Sequence, residues 1–157
     1  MYEIVALSQS EAESIAYTWK YEGEYRFYDM DQDEEDLALF LDPREREDKI
    51  FAVKQKEELI GFLSVDIVEA DAQIGFGIRP DLTGRGIGQG FVAFLVKAVQ
   101  DMYQPTTISL AVAAFNQRAI TVYERVGFRE TERFNQFTNG AAYPFVRMIM
   151  KVKNPSA

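Results

Sequence analysis

The sequence predicts a mixed α/β domain around one twisted sheet, and three observations carry that prediction. Apolar alternation of period two and apolar stripes of period 3.6 follow one another in the order β-α-α-β-β-β-α-β-α-β-β. A strand closed by Pro80 leads through the glycine-rich stretch DLTGRGIGQG into a long amphipathic helix. Asn139-Gly140, a strong hairpin signal, joins the last two apolar runs. The 157 residues contain no repeat, linker or low-complexity segment, so one domain is expected over residues 1–153, with a frayed tail at 154–157.

Each element has a local reason. Tyr2 to Leu7 reads as a short strand. Ser8 or Ser10 can cap a helix that places Glu11 and Glu13 in its first turn and runs to about Lys20. A polar, aromatic segment broken by Gly23 follows, and then a helix over Glu34 to Leu41 that stops before Pro43. Ile50–Gln55 and Leu59–Val68 read as strands around a tight charged turn at Lys56-Glu57-Glu58. Ala72 to Arg79 is a further strand with Gln73, Gly75, Gly77 and Arg79 on one face, where the glycines point to close approach of a ligand or to tight packing. After the glycine loop, a helix buries a stripe of Phe91, Phe94, Leu95, Ala98, Val99 and Met102. Thr106–Ala113 is a strand, Asn116 caps a helix stopped by Gly127, and Phe128–Phe137 and Tyr143–Val152 form the closing hairpin.

Composition removes whole classes of chemistry. With no cysteine and no histidine, disulfides, Cys/His zinc sites, a cysteine nucleophile and a Ser-His triad are all excluded. No metal is expected: the acidic run from Asp29 to Asp36 has Glu34 and Phe40 where a calcium loop needs glycine and a final acid. The longest apolar run is the six residues Phe91–Val96, far short of the roughly 20 that span a bilayer. The N-terminal residues do not read as a signal peptide, so the expected location is the cytoplasm, without a membrane partner. The net charge of −8 argues against nucleic acid. That charge is concentrated. Residues 1–50 hold 15 acidic and 5 basic side chains, and residues 51–157 hold 10 and 12. The acidic third reads either as a solvated surface or as a mouth for a cationic substrate.

A strand, a glycine-rich loop and a helix start together form an anion site, because successive backbone N–H groups and the helix dipole converge on one spot. Arg85 within the loop can add a charge-assisted contact. A P-loop is excluded by the lack of any Gly-Lys pair. Gly88, Gly90 and Ala93 match a dinucleotide fingerprint in letters only, since they follow several strands rather than the first.

The stretch IRPDLTGRGIGQGFVAFLV, followed by NQRAITVYERVGF, resembles the GNAT superfamily of N-acetyltransferases. Gly86 and Gly88 fill the two small positions of its first motif, and Asn116, Ala119, Tyr123 and Gly127-Phe128 match the second. The resemblance covers roughly residues 50–152. It implies a mostly antiparallel central sheet flanked by helices, and acetyl-CoA as co-substrate. It further implies that the backbone of Phe76, Gly77 and Ile78 holds the pantetheine and thioester. The loop Thr83, Gly84, Arg85, Gly86, Ile87, Gly88, Gln89 and Gly90 would cradle the pyrophosphate. Asn116 would bond the pantetheine arm, and Tyr123 would protonate the leaving thiolate. Asn116 and Tyr123, seven apart, share a helix face.

Two positions depart from the family pattern. Thr83 stands where the first motif opens with Arg or Gln, and Gln73 stands where many members carry a glutamate base; a carboxamide cannot take a proton. Asp66, Glu69, Asp71, Asp29 and Asp31 are the alternative carboxylates. In similar proteins the segment between the first two helices lines the acceptor pocket. Here it holds Trp19, Tyr21, Tyr25, Phe27 and Tyr28 among acids, a composition suited to an ammonium group. Tyr25, Tyr28, Asp29 and Gln73 are the candidate acceptor contacts. The expected partner is a cationic small-molecule or peptide amine. A catalytically weak acyl-CoA-binding module of the same fold stays open beside the enzyme, and so does a homodimer through the Met-rich last strand.

Overall fold

The computed structural model describes residues 1–152. The expected tail at 154–157 lies outside them. The described elements run β1 (Tyr2–Ala6), α1 (Gln9–Thr18), α2 (Glu34–Leu41), α3 (Pro43–Arg46), β2 (Ile50–Gln55), β3 (Glu58–Val68), β4 (Asp71–Ile78), α4 (Gly88–Tyr103), β5 (Thr107–Ala113), α5 (Gln117–Val126), β6 (Arg129–Thr138) and β7 (Ala141–Lys151). The strands form one seven-stranded mixed sheet in the order β1-β2-β3-β4-β5-β7-β6. β1–β2, β2–β3 and β5–β7 pair antiparallel, and β4–β5 pairs parallel. The alternation of strands and helices seen in the sequence is this architecture, with α3 and three short 3₁₀ turns added.

Backbone contacts divide the chain into two compact units. The first comprises Met1–Ser64, Phe76–Thr83 and Phe137–Ala141. Ser8 caps α1 in a reciprocal box with Glu11, as the S-x-x-E spacing requires. Asp33 caps α2, and Pro43 does not end helical structure but starts α3 as its first residue, capped by Asp42. α1 and α2 bury Ala12, Ile15, Ala16, Trp19 and Phe40 in one cluster, against which Leu59 and Phe62 pack. Arg46 is buried beside it and donates to Phe40 O and Gln9 Oε1. Its charge thus sits on the carbonyl end of α2, where the helix dipole favours a cation. β2 and β3 are joined by Lys56-Glu57, both with positive φ, which is the geometry of a two-residue type I′ turn built without its usual Asn-Gly.

The second unit comprises Val65–Gly75, Gly84–Gln136 and the chain from Ala142. α4 buries Phe91, Val92, Leu95, Val96 and Val99. The buried face is therefore rotated from the predicted stripe: Val92 and Val96 are inside, and Met102 is 45% exposed. α4 also begins at Gly88 rather than after Gly90. The β4–β5 pairing joins Asp71, Ala72 and Gln73 to Thr107, Ile108 and Ser109 and stops there, although β5 continues to Ala113. Asp71 locks this short pairing by accepting from Thr107 Oγ1 at 2.7 Å and from buried Ser109 Oγ at 2.6 Å. Beyond it, β4 continues to Ile78.

Candidate functional site

In the second unit, Gly84 and Gly86 take φ of +75° and +77°, on either side of Arg85. An L-residue resists that conformation, and this alternation turns neighbouring N–H groups toward one side. The loop runs directly into α4. Four helices carry a side-chain cap: Ser8, Asp33, Asp42 and Asn116. α4 has none, and its N-cap is Ile87. The first intrahelical bond is Phe91 N–H to Ile87 O, so helix geometry leaves the amides of Ile87, Gly88, Gln89 and Gly90 without intrahelical acceptors. Gly88 and Gly90 lie in ordinary helical backbone, and a Cβ at either would meet nothing within 4 Å. The fold itself gives no reason for glycine at these two positions.

α5 presents the other predicted groups of this unit. Asn116 is 8% exposed, and its Oδ1 caps the helix by accepting from Ala119 N–H at 3.1 Å. Tyr123 is half-buried one face-repeat later, with its ring edge-on to Phe128 at 6.3 Å. Gly127 and Phe128 both donate their N–H to Tyr123 O, which closes the helix and fixes the ring's backbone. Gln73 is exposed on β4, while the neighbouring Asp71 is committed to Thr107 and Ser109. Asp66 and Glu69 are exposed at the end of β3 and in the following turn.

In the first unit, the strand segment Phe76–Ile78 is contacted from two sides. Tyr21 Oη donates to Ile78 O at 2.8 Å. Burial, with Asp29 beside it, pushes the Tyr21 phenol well above its ordinary range, so it stays a donor. Gly77 is covered by Phe62 of β3: a Cβ on Gly77 would lie 2.5 Å from Phe62 Cε1 and 2.8 Å from Cζ. Arg79 N–H donates to Ile60 O, and two residues along each strand brings Gly77 opposite Phe62. Of the two readings of this glycine, tight packing is the one that the Phe62 ring accounts for. Thr83 Oγ1 donates to Pro80 O at 2.7 Å and closes a 3₁₀ turn.

The acidic-aromatic segment is ordered by its own carboxylates. Asp29 is 7% exposed and accepts from Tyr21 N–H at 2.9 Å, so it anchors the segment instead of facing solvent. Tyr25 and Tyr28 lie in the 3₁₀ turn Gly23–Tyr28, with Tyr28 36% exposed and edge-on to Phe27. Asp31 pairs with Lys20. Sequence reasoning missed Asp33, which caps α2 through Oδ1 and, through Oδ2, holds Asn139 N–H at 2.9 Å and Thr138 Oγ1 at 3.2 Å. Asn139 Nδ2 adds a bond to Phe27 O. The β6–β7 tip is thus tied to the segment around Phe27 and Asp33.

The hydrogen bonds from the Asp36 and Asn139 amides hold the Asp33 carboxyl below its ordinary range. A depressed pKa means that the tether is complete above the usual carboxylate pKa and is lost as pH falls through the lowered one. Asp33→Asn keeps one oxygen for the cap but replaces the second acceptor with a donor. Amide exchange at Asn139 is expected to speed about tenfold, with α2 still capped. Unchanged exchange would show that Asp33 does not protect the tip.

Comparison with known proteins agrees with this architecture. The chain aligns with a mycothiol acetyltransferase from Streptomyces coelicolor at 37% identity over 82 residues, half of this chain and 26% of that protein. A mycothiol acetyltransferase from Streptomyces avermitilis aligns at 35% over 86 residues, or 52% and 27%. The chain therefore spans about a quarter of the length of these relatives. A spermidine N-acetyltransferase from Vibrio cholerae, solved with CoA and spermine, superposes with a TM-score of 0.74 at 19% identity, covering 96% of this chain and 95% of that one. The profile described as "Acetyltransferase (GNAT) family" matches residues 7–128, from the end of β1 past the Gly127-Phe128 stop of α5, so this chain belongs to the GNAT family of acetyltransferases.

Proposed function

We propose that this chain moves an acetyl group from acetyl-CoA to a primary amine by direct attack in a ternary complex. The uncapped, glycine-lined start of α4 is the observation that carries the reading. Free amides at Ile87–Gly90, with the positive-φ pair Gly84 and Gly86 before them, suit a pyrophosphate, and the two glycines that the fold does not need keep side chains away from it. Thr83, Arg85 and Gln89 complete the loop. The backbone of Phe76–Ile78 takes the pantetheine and thioester. Asn116 contributes its side-chain nitrogen to the pantetheine arm, because its oxygen is used by the helix cap. Tyr123 returns a proton to the departing thiolate, a step open to a phenol of pKa about 10 and a thiol of pKa about 8.5. Backbone N–H groups stabilise the oxyanion formed on attack.

The acceptor is a cationic amine. The excess of acids in residues 1–50 supports this, as does the polyamine named in the complex of the Vibrio relative. Tyr25, Tyr28, Asp29 and Gln73 are the residues assigned to it, and Asp29 also anchors its own segment through Tyr21 N–H. With Gln73 unable to accept a proton, water or an exposed carboxylate removes it. The same glutamine favours a second reading, an acyl-CoA-binding module without turnover. The test has two steps. Acetyl-CoA at 100 times its dissociation constant should add about 2.7 kcal/mol of stability, raising the melting temperature by about 5–10 °C, while NAD and ATP at the same concentration should not. An amine panel including spermidine then separates enzyme from binder by CoA release. No shift with millimolar acetyl-CoA would remove the loop assignment and the function with it.

A further inference from the structure

We propose that Phe62 sets the size of the acyl group, restricting the donor to acetyl. This rests on the reading that the thioester lies along Phe76–Ile78. The ring of Phe62 stands so close over Gly77 that even a methyl on that residue would overlap it, at 2.5 and 2.8 Å. The ring cannot withdraw easily. Trp19 lies at 6.3 Å between centroids and tilted by 38°, and Phe40 lies at 5.5 Å and edge-on. Both belong to the buried cluster of α1 and α2 and are themselves 6% and 5% exposed. The strand backbone assigned to the thioester is therefore backed by a wall of three aromatic rings, with Phe62 as its inner layer. Cross-strand covering of a glycine by an aromatic accounts for the stability of the pair. It also sets how much carbon fits beside Gly77. A two-carbon acyl chain extends one methyl beyond the carbonyl, whereas a four-carbon chain must displace the ring. Apolar walls of this kind discriminate single methylenes by about tenfold or more.

The test is calorimetric titration of the wild-type chain, Phe62→Leu and Phe62→Ala with CoA, acetyl-CoA and butyryl-CoA, which needs no acceptor. The wild type is expected to bind butyryl-CoA about tenfold or more weaker than acetyl-CoA. The variants are expected to bring the two within about threefold, with free CoA unchanged throughout. Phe62→Leu keeps an apolar side chain in the cluster, so it reports the ratio if the alanine variant does not fold. Equal binding of both thioesters by the wild type overturns the proposal, and so does a cooperatively melting variant that keeps the wild-type ratio. Failure of free CoA to bind the wild type is a different result: it removes the parent reading, and this one falls with it.

Discussion

Replacing Tyr123 with phenylalanine should lower turnover by about a hundredfold, the lower end of what a positioned general acid contributes, and leave acetyl-CoA affinity within about twofold. The substitution removes one oxygen and keeps the ring that packs edge-on to Phe128. The backbone at Tyr123 is also held independently, by the N–H groups of Gly127 and Phe128 on its carbonyl. The melting temperature should therefore hold, so a fall in turnover would be chemical. In the proposed mechanism the phenol acts only when the thiolate leaves. It stabilises the transition state and not the ground state, which predicts equal losses in kcat and kcat/KM. If kcat is unchanged with an amine that the wild type acetylates, Tyr123 has no part in the reaction. A rise in KM alone would make it a binding residue.

The paired substitution Gly88→Ala and Gly90→Ala should act in opposite directions on stability and on binding. Glycine in a helix costs about 0.8–1.0 kcal/mol relative to alanine, less in a first turn, and neither position has a neighbour that a methyl would strike. The double variant should therefore be more stable than the wild type in urea, by about 1 kcal/mol. Its acetyl-CoA affinity should fall by about tenfold or more, because two methyl groups would stand among the amides that the proposed function assigns to the pyrophosphate. An ordinary structural glycine would give the reverse pattern, with stability lost. A variant both more stable and equally tight would show that the pyrophosphate is held elsewhere.

The parts of this protein that could be read from sequence are those written in local chemistry. α2 was expected over Glu34–Leu41 and occupies those residues, because an N-cap aspartate precedes it and Pro43 follows its end. The Asn139-Gly140 turn takes positive φ at both residues, as that dipeptide is suited to do. The glycine loop is legible in the sequence, yet its reading puts the boundary with α4 three residues late. Glycines signal a loop in sequence, but nothing prevents them from taking helical backbone. What remained hidden depends on register and on distance along the chain. Gly77 signals either close approach of a ligand or tight packing, and only the fold shows Phe62 packed over it. Asp33 caps α2 through one oxygen, and nothing local in the sequence shows that the other holds an amide 106 residues away. Asp29 stands among the candidate acceptor contacts, and the sequence does not show that it also holds Tyr21 N–H across eight positions.

The short parallel pairing of β4 and β5 also bears on how this molecule assembles. The hydroxyl of Thr107 and the carboxylate of Asp71 are 36 positions apart, and that gap contains the whole of α4. The β2–β3 turn closes over two residues and can form early. The parallel contact must wait until a long loop has been brought round, with only three residue pairs to reward the closure. The ordering of this pairing is therefore expected late in folding and is expected to be sensitive to the loss of Asp71.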